Sequence, residues 1–105
     1  MDLNFDGLED FALKSDSGGN GGPTYFFYIQ NNEGKFVKDN YLTETMEFFP
    51  LEVNKRKMRL TIYVHASAYN LRKTIFAYQP KNKSWKIIRS SLVDYDDCPT
   101  QTMVR

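Results

Sequence analysis

Met58-Arg59-Leu60-Thr61-Ile62-Tyr63-Val64-His65 alternates apolar and polar side chains without a break. Successive side chains of a strand point to opposite faces. This period of two therefore predicts a strand with Met58, Leu60, Ile62 and Val64 in a core, and with Arg59 and Thr61 in solvent. A slip of one residue would reverse every assignment. Turn chemistry bounds the strand on its upstream side at Asn54-Lys55-Arg56-Lys57. On its downstream side His65-Ala66-Ser67-Ala68-Tyr69-Asn70 breaks the alternation and reads as a loop.

Moving outward, Leu71 to Tyr78 is a second strand, with Thr74, Phe76 and Tyr78 on one face and Ile75 and Ala77 on the other. Pro80-Lys81-Asn82-Lys83 turns the chain. Trp85, Ile87 and Ile88 mark a last strand ending near Ser90. The tail from Asp94 to Arg105 has no periodicity and is expected to be loose. Upstream, Phe48 to Val53 resembles a strand that Pro50 confines to an edge or a bulge. Leu42 to Met46 is either one helical turn or a loop. Thr24 to Gln30 is strongly aromatic on both faces, which predicts an interior strand covered on both sides. Asn31 to Gly34 is a turn, and Lys35 to Lys38 returns as a short strand. Phe11 to Lys14 opens the series. Ser15 to Pro23 is a glycine-rich connection; a phosphate-cradling loop would need Lys-Ser/Thr and a helix after it, and here Pro23 and a strand follow. The expectation is an all-β, antiparallel domain of about seven or eight strands over residues 1–93, with a loosely ordered tail over 94–105.

The composition agrees. A chain of 105 residues is one domain, and its 15% aromatic content favours strands. Fourteen basic residues against thirteen acidic ones leave a net charge of +1, which is no footprint for nucleic acid or an anionic membrane. The densest basic run, Lys55-Arg56-Lys57, fits a hairpin turn. One cysteine, Cys98, permits no internal disulfide. No apolar run is long enough to span a bilayer, and the start is not signal-like. An ion loop starting one residue after Met1 leads us to expect that a leader or N-terminal segment is missing from this chain.

That loop is Asp2-Leu3-Asn4-Phe5-Asp6-Gly7-Leu8-Glu9-Asp10. Oxygen-bearing side chains fall at every second position as far as Asp6, followed by a glycine and a final acid. A hard cation such as calcium takes about six to eight oxygens at roughly 2.3–2.6 Å. Asp2, Asn4, Asp6 and Asp10 are the expected side-chain ligands, and the Leu8 carbonyl the backbone ligand. Gly7 supplies the turn, and Glu9 points away. An EF-hand would need a bidentate Glu where Leu13 stands, so this is a shorter site running directly into a strand. The same residue types also populate ordinary solvated turns.

Catalytic chemistry is poorly supplied. His65 is the lone histidine, and Cys98 lies in the least patterned segment, so a Cys–His nucleophile pair lacks a rigid frame. Asp2, Asp6 and Asp10 are crowded in a way that suits a cation. Glu44, Glu47 and Glu52 form no defensible acid/base pair. The chain is expected not to be an enzyme.

Asp2-x-Asn4-x-Asp6-Gly7-x-x-Asp10 resembles the calcium loop of FG-GAP and integrin-type propeller repeats. The fuller resemblance is to a bacterial envelope family built as a small two-bladed β-propeller-like domain. It is carried by the acidic loop leading into Asp10-Phe11-Ala12-Leu13, by Gly21-Gly22-Pro23-Thr24-Tyr25 and Gly34-Lys35-Phe36-Val37, and by the Ser/Ala/Tyr loop. The closing hairpin, Thr74-x-x-x-Tyr78 with Trp85-Lys86-Ile87-Ile88, completes it. It covers roughly residues 2–90. The resemblance implies a calcium-binding immunity protein of the periplasm or outer membrane that inhibits lysozyme-like peptidoglycan hydrolases delivered by rival bacteria. It further implies that the His65–Asn70 loop enters the hydrolase cleft, with Ser67 and Tyr69 as probing side chains and His65 beside them. This loop lacks the glycine that the family pattern leads one to expect. A calcium-stabilised surface adhesion module and an enzyme acting on envelope sugars are the competing readings.

Overall fold

The computed structural model describes residues 1–16, 23–67 and 69–94. Most of the glycine-rich connection, Ala68, and the tail with Cys98 lie outside the described residues. Seven strands form two antiparallel sheets. The first has the order β1 (Phe11–Asp16), β2 (Thr24–Gln30), β3 (Phe36–Lys38). The second has the order β4 (Glu52–Asn54), β5 (Arg59–His65), β6 (Asn70–Gln79), β7 (Ser84–Asp94). Each sheet is a meander of neighbours in sequence, and neither closes on itself.

A single π-helical turn, Leu42–Met46, joins the sheets. The Asp39 carboxylate accepts the Leu42 N–H at 2.9 Å, and the Glu47 N–H closes on the Leu42 carbonyl at 2.8 Å. The turn also completes the pairing of β2 beyond the short β3. The Thr43 hydroxyl accepts the Phe27 N–H at 3.1 Å, and the Glu47 carbonyl accepts the Tyr25 N–H at 2.9 Å. Without it, buried donors of β2 would lack partners.

The core lies between the sheets. Phe27 comes from β2, Leu60 and Ile62 from β5, Phe76 from β6 and Trp85 from β7; Leu42 and Met46 of the π-turn and Leu3 of the N-terminal loop complete it. The inner face follows from register: Leu60 opposes Phe76, Ile62 opposes Thr74, and Tyr78 opposes Trp85.

Several expectations are corrected. Met58 is not in the strand; its φ of +58° turns the chain into β5, and it is only half-buried. Thr61 is buried and Arg59 half-buried, although both face away from the main core. Neighbours on that outer face cover them: Thr61 lies between Glu52 and Ile75, and Arg59 between Asn54 and Ala77. Long stems laid along a sheet bury small polar residues beneath them. The edge strand proposed for Phe48 to Val53 forms only at Glu52–Asn54, because Pro50 is buried before it and cannot donate to a ladder. β2 is central, but its second face is not covered: Phe26 is exposed and Tyr28 stacks on Phe11 at 4.9 Å in an aromatic cluster open to solvent. The last strand runs past Ser90 to Asp94, because β6 offers partners as far as Asn70. Among the described residues no helix is long and apolar enough to cross a membrane.

Candidate metal centre and partner loop

The N-terminal loop is fixed by its own carboxylates. Asp2 accepts the Asp6 N–H at 3.2 Å and the Gly7 N–H at 2.7 Å. Asp6 accepts the Leu8 N–H at 2.9 Å. Gly7 has φ +87°, a conformation that costs glycine little. Phe5 also takes a positive φ, +61°, which places its ring 6.3 Å from Trp85. Glu9 turns outward and pairs with the Met1 ammonium, which holds its carboxyl below the usual range.

Asp10 is the anchor. It is buried, and its two oxygens accept the Leu3 N–H at 2.7 Å and the Gln30 N–H at 2.9 Å. One side chain thus ties the loop to itself and to the end of β2. Burial pushes its carboxyl above the ordinary aspartate value; the two amide donors oppose that, and the charges of Asp6 and Asp2 add to it. Sequence spacing marks Asp10 as an acid of the loop but carries no sign of the tie to Gln30, which only the fold creates.

One carboxylate oxygen from each of Asp2, Asp6 and Asp10 lies within 4.8 Å of the others. Two oxygens bound to one ion at 2.3–2.6 Å cannot be more than about 5 Å apart, a limit the three oxygens meet, so this group could hold a metal ion. The Asn4 Oδ1 is buried without a donor, an acceptor that a cation would satisfy. Leu8, the expected backbone ligand, is half-buried and lines a cavity with Asp2 and Gly7. A second cavity of about 350 Å³ opens beside Asn4 and Asp6, walled by Gln30, Tyr78 and Lys83. Burial and the charges of Asp6 and Asp39 push the Tyr78 hydroxyl up. The residue types and spacing therefore suit a hard cation, which would relieve the crowding of three carboxylates.

The expected partner residues sit at the far end of the β5–β6 hairpin. His65 closes β5 opposite Leu71 and is exposed. Tyr69 is 80% exposed. The loop beneath it is tied: the Ser67 hydroxyl donates to Asn70 Oδ1 and accepts the Asn70 N–H, both at 3.2 Å. Asn70 also donates to the Val93 carbonyl at 3.5 Å, steadying the hairpin against β7. Ser67 is thus engaged within the loop, whereas Tyr69 stands clear of it.

No family model, no curated protein and no solved structure matches the chain. The resemblance described above therefore rests on residue order and spacing.

Proposed function

We propose that the chain is a calcium-clasped protein of the bacterial envelope that binds and inhibits a lysozyme-like peptidoglycan hydrolase. The observation that carries the reading is Tyr69, 80% exposed on a loop whose base is fastened by Ser67 and Asn70. A tyrosine carried on a fastened loop offers an apolar body and a hydroxyl at small entropic cost, and a catalytic carboxyl in a cleft is a natural partner for that hydroxyl. In this reading His65 borders the contact and Ser67 shapes the loop. The two sheets around one core correspond to two blades, and the ion at Asp2, Asn4, Asp6, Leu8 and Asp10 is structural. Its affinity is of the weak extracellular kind, on the order of 10⁻⁴–10⁻³ M or somewhat tighter. The protein acts by binding and performs no chemistry itself.

The test is calorimetric titration of lysozyme-type hydrolases with wild type and Tyr69→Ala in millimolar calcium, alongside a cell-wall turbidity assay. Tyr69→Ala should weaken binding roughly thirtyfold, as loss of an interface anchor does, with an unchanged melt. Intact inhibition by Tyr69→Ala would remove the loop assignment. Failure of any such hydrolase to bind wild type would favour the adhesion-module reading.

A further inference from the structure

The solvent face of the four-stranded sheet carries a second cluster of charge, remote in sequence from the acidic loop. Register sets out its rows. Glu52, Thr61, Ile75 and Arg89 lie side by side across β4 to β7, and Asn54, Arg59, Ala77 and Lys86 form the next row. A cavity of about 190 Å³ opens there, with Lys57, Arg59 and Lys73 around it and Glu52 as its acid. Lys86 and Arg89 extend the same face. The chain's net charge of +1 conceals this, because most of its thirteen acids, four of them in the N-terminal loop, lie outside this face.

Four features make the cavity more than a solvated basic patch. The Nε of Arg59 is buried and has no acceptor. Among the described residues, Lys57, Arg59 and Lys73 form no ion pair. Glu52 already accepts the Tyr63 hydroxyl at 2.6 Å, while Lys73 stands 5.7 Å from the centre of the Tyr63 ring. Asn54 uses its Oδ1 to accept the Lys57 N–H at 3.0 Å, which leaves its NH₂ as a donor. The wall therefore presents unused donors and positive charge, and one of its residues, Arg59, carries a buried guanidinium N–H that lacks an oxygen. Guanidinium forks match carboxylate and phosphate oxygens, and a pocket of this size admits one such group.

We propose that this cavity binds a single oxyanion, a carboxylate or a phosphate group, through Arg59, with Lys57 and Lys73 supplying the charge. The proposal is independent of the hydrolase reading and of calcium. The experiment follows the Arg59 Nε–H by two-dimensional nitrogen–proton NMR on the full chain. Inorganic phosphate and acetate are titrated separately at constant ionic strength, with chloride as control. A saturable shift of Arg59 with either anion, absent with chloride, is expected; the tighter of the two identifies the source chemistry. Arg59→Lys, followed through the backbone amides of Thr61 and Ile75 in the same spectra because it lacks the Nε–H, keeps the charge and removes the fork, and should weaken binding about tenfold, the usual scale for a lost charged hydrogen bond. Lys73→Gln should weaken it severalfold, and Glu52→Gln, which keeps an acceptor for Tyr63, should tighten it severalfold, because a like charge leaves the site. A linear shift shared with chloride overturns the proposal. So does an affinity unmoved by both Lys73→Gln and Glu52→Gln when those variants melt like wild type.

Discussion

Replacing Asp10 by alanine should separate the two jobs of the N-terminal loop. Asp10 is only 4% exposed, and its carboxylate accepts the Leu3 and Gln30 amides at 2.7 and 2.9 Å. Hydrogen bonds to charged groups contribute about 1.5–3 kcal/mol each, so the two together contribute roughly 3–6 kcal/mol. The burial that raises the Asp10 pKa, and its repulsion with Asp2 and Asp6, offset part of this. A net loss of about 3 kcal/mol remains, with two donors left unpartnered. For a domain of this size that is roughly 12–24 °C in melting temperature, and it should appear even in excess chelator. Asp6 is exposed and, among the described residues, its carboxylate accepts only the Leu8 N–H, so Asp6→Ala in chelator should cost about 1 kcal/mol or less. Asp6→Ala should instead abolish the gain from calcium, about 2.7 kcal/mol at a hundredfold excess over the dissociation constant, or roughly 10–20 °C. The assay is far-ultraviolet dichroism melts of wild type and both variants, in chelator and in millimolar calcium. If Asp10→Ala melts with wild type in chelator, the tie between loop and β2 contributes nothing. If Asp6→Ala keeps the full calcium increment, these oxygens do not hold the ion.

Three further outcomes are expected. Phe27→Ala removes a fully buried ring from the centre of the core and should cost about 3–5 kcal/mol by urea denaturation. A Cβ added at Gly7 meets nothing within 4 Å, so Gly7→Ala should cost only the left-handed backbone, about 1–2 kcal/mol; Gly7→Asn should cost less and Gly7→Val more in the same melts. Burial raises the folded pKa of Asp10, so in chelator the increment of stability linked to its bound proton is fully present below the unfolded value and is lost as pH rises through the folded one, while the two amide bonds to the carboxylate persist. Carboxyl carbon NMR should place the Asp10 midpoint above the ordinary aspartate range in chelator and below it in calcium; identical midpoints would deny that the ion contacts Asp10.

Strands whose side chains obey one period were legible from the sequence. Thr24–Gln30 and the β4–β5 turn fall where alternation and turn residues put them. What was not legible depends on neighbours that sequence spacing does not reveal. Thr61 reads as solvent-facing, yet side chains from β4 and β6 cover it. Met58 continues the alternation on paper, but the turn needs a left-handed residue and takes it there. Phe26 carries the same chemistry as Phe27, and only the single layer of the three-stranded sheet leaves it exposed. The acidic loop was legible as a set of oxygens on one short segment. The tie from Asp10 to Gln30 joins residues twenty apart, and the basic cavity assembles from three strands and a turn. Neither leaves a local trace.

Phe5 holds its strained backbone so that its ring reaches Trp85, the chain's one tryptophan, which also sits 4.9 Å from Tyr78. Tyr78 in turn walls the cavity beside Asn4 and Asp6. The indole therefore meets the carboxylate loop through Phe5, and through Tyr78 adjoins the cavity beside it, while belonging to the opposite sheet. Any event that re-seats the loop alters the quenching and polarity around a single emitter. The molecule carries its own optical gauge of the loop's state, readable in dilute solution without a label.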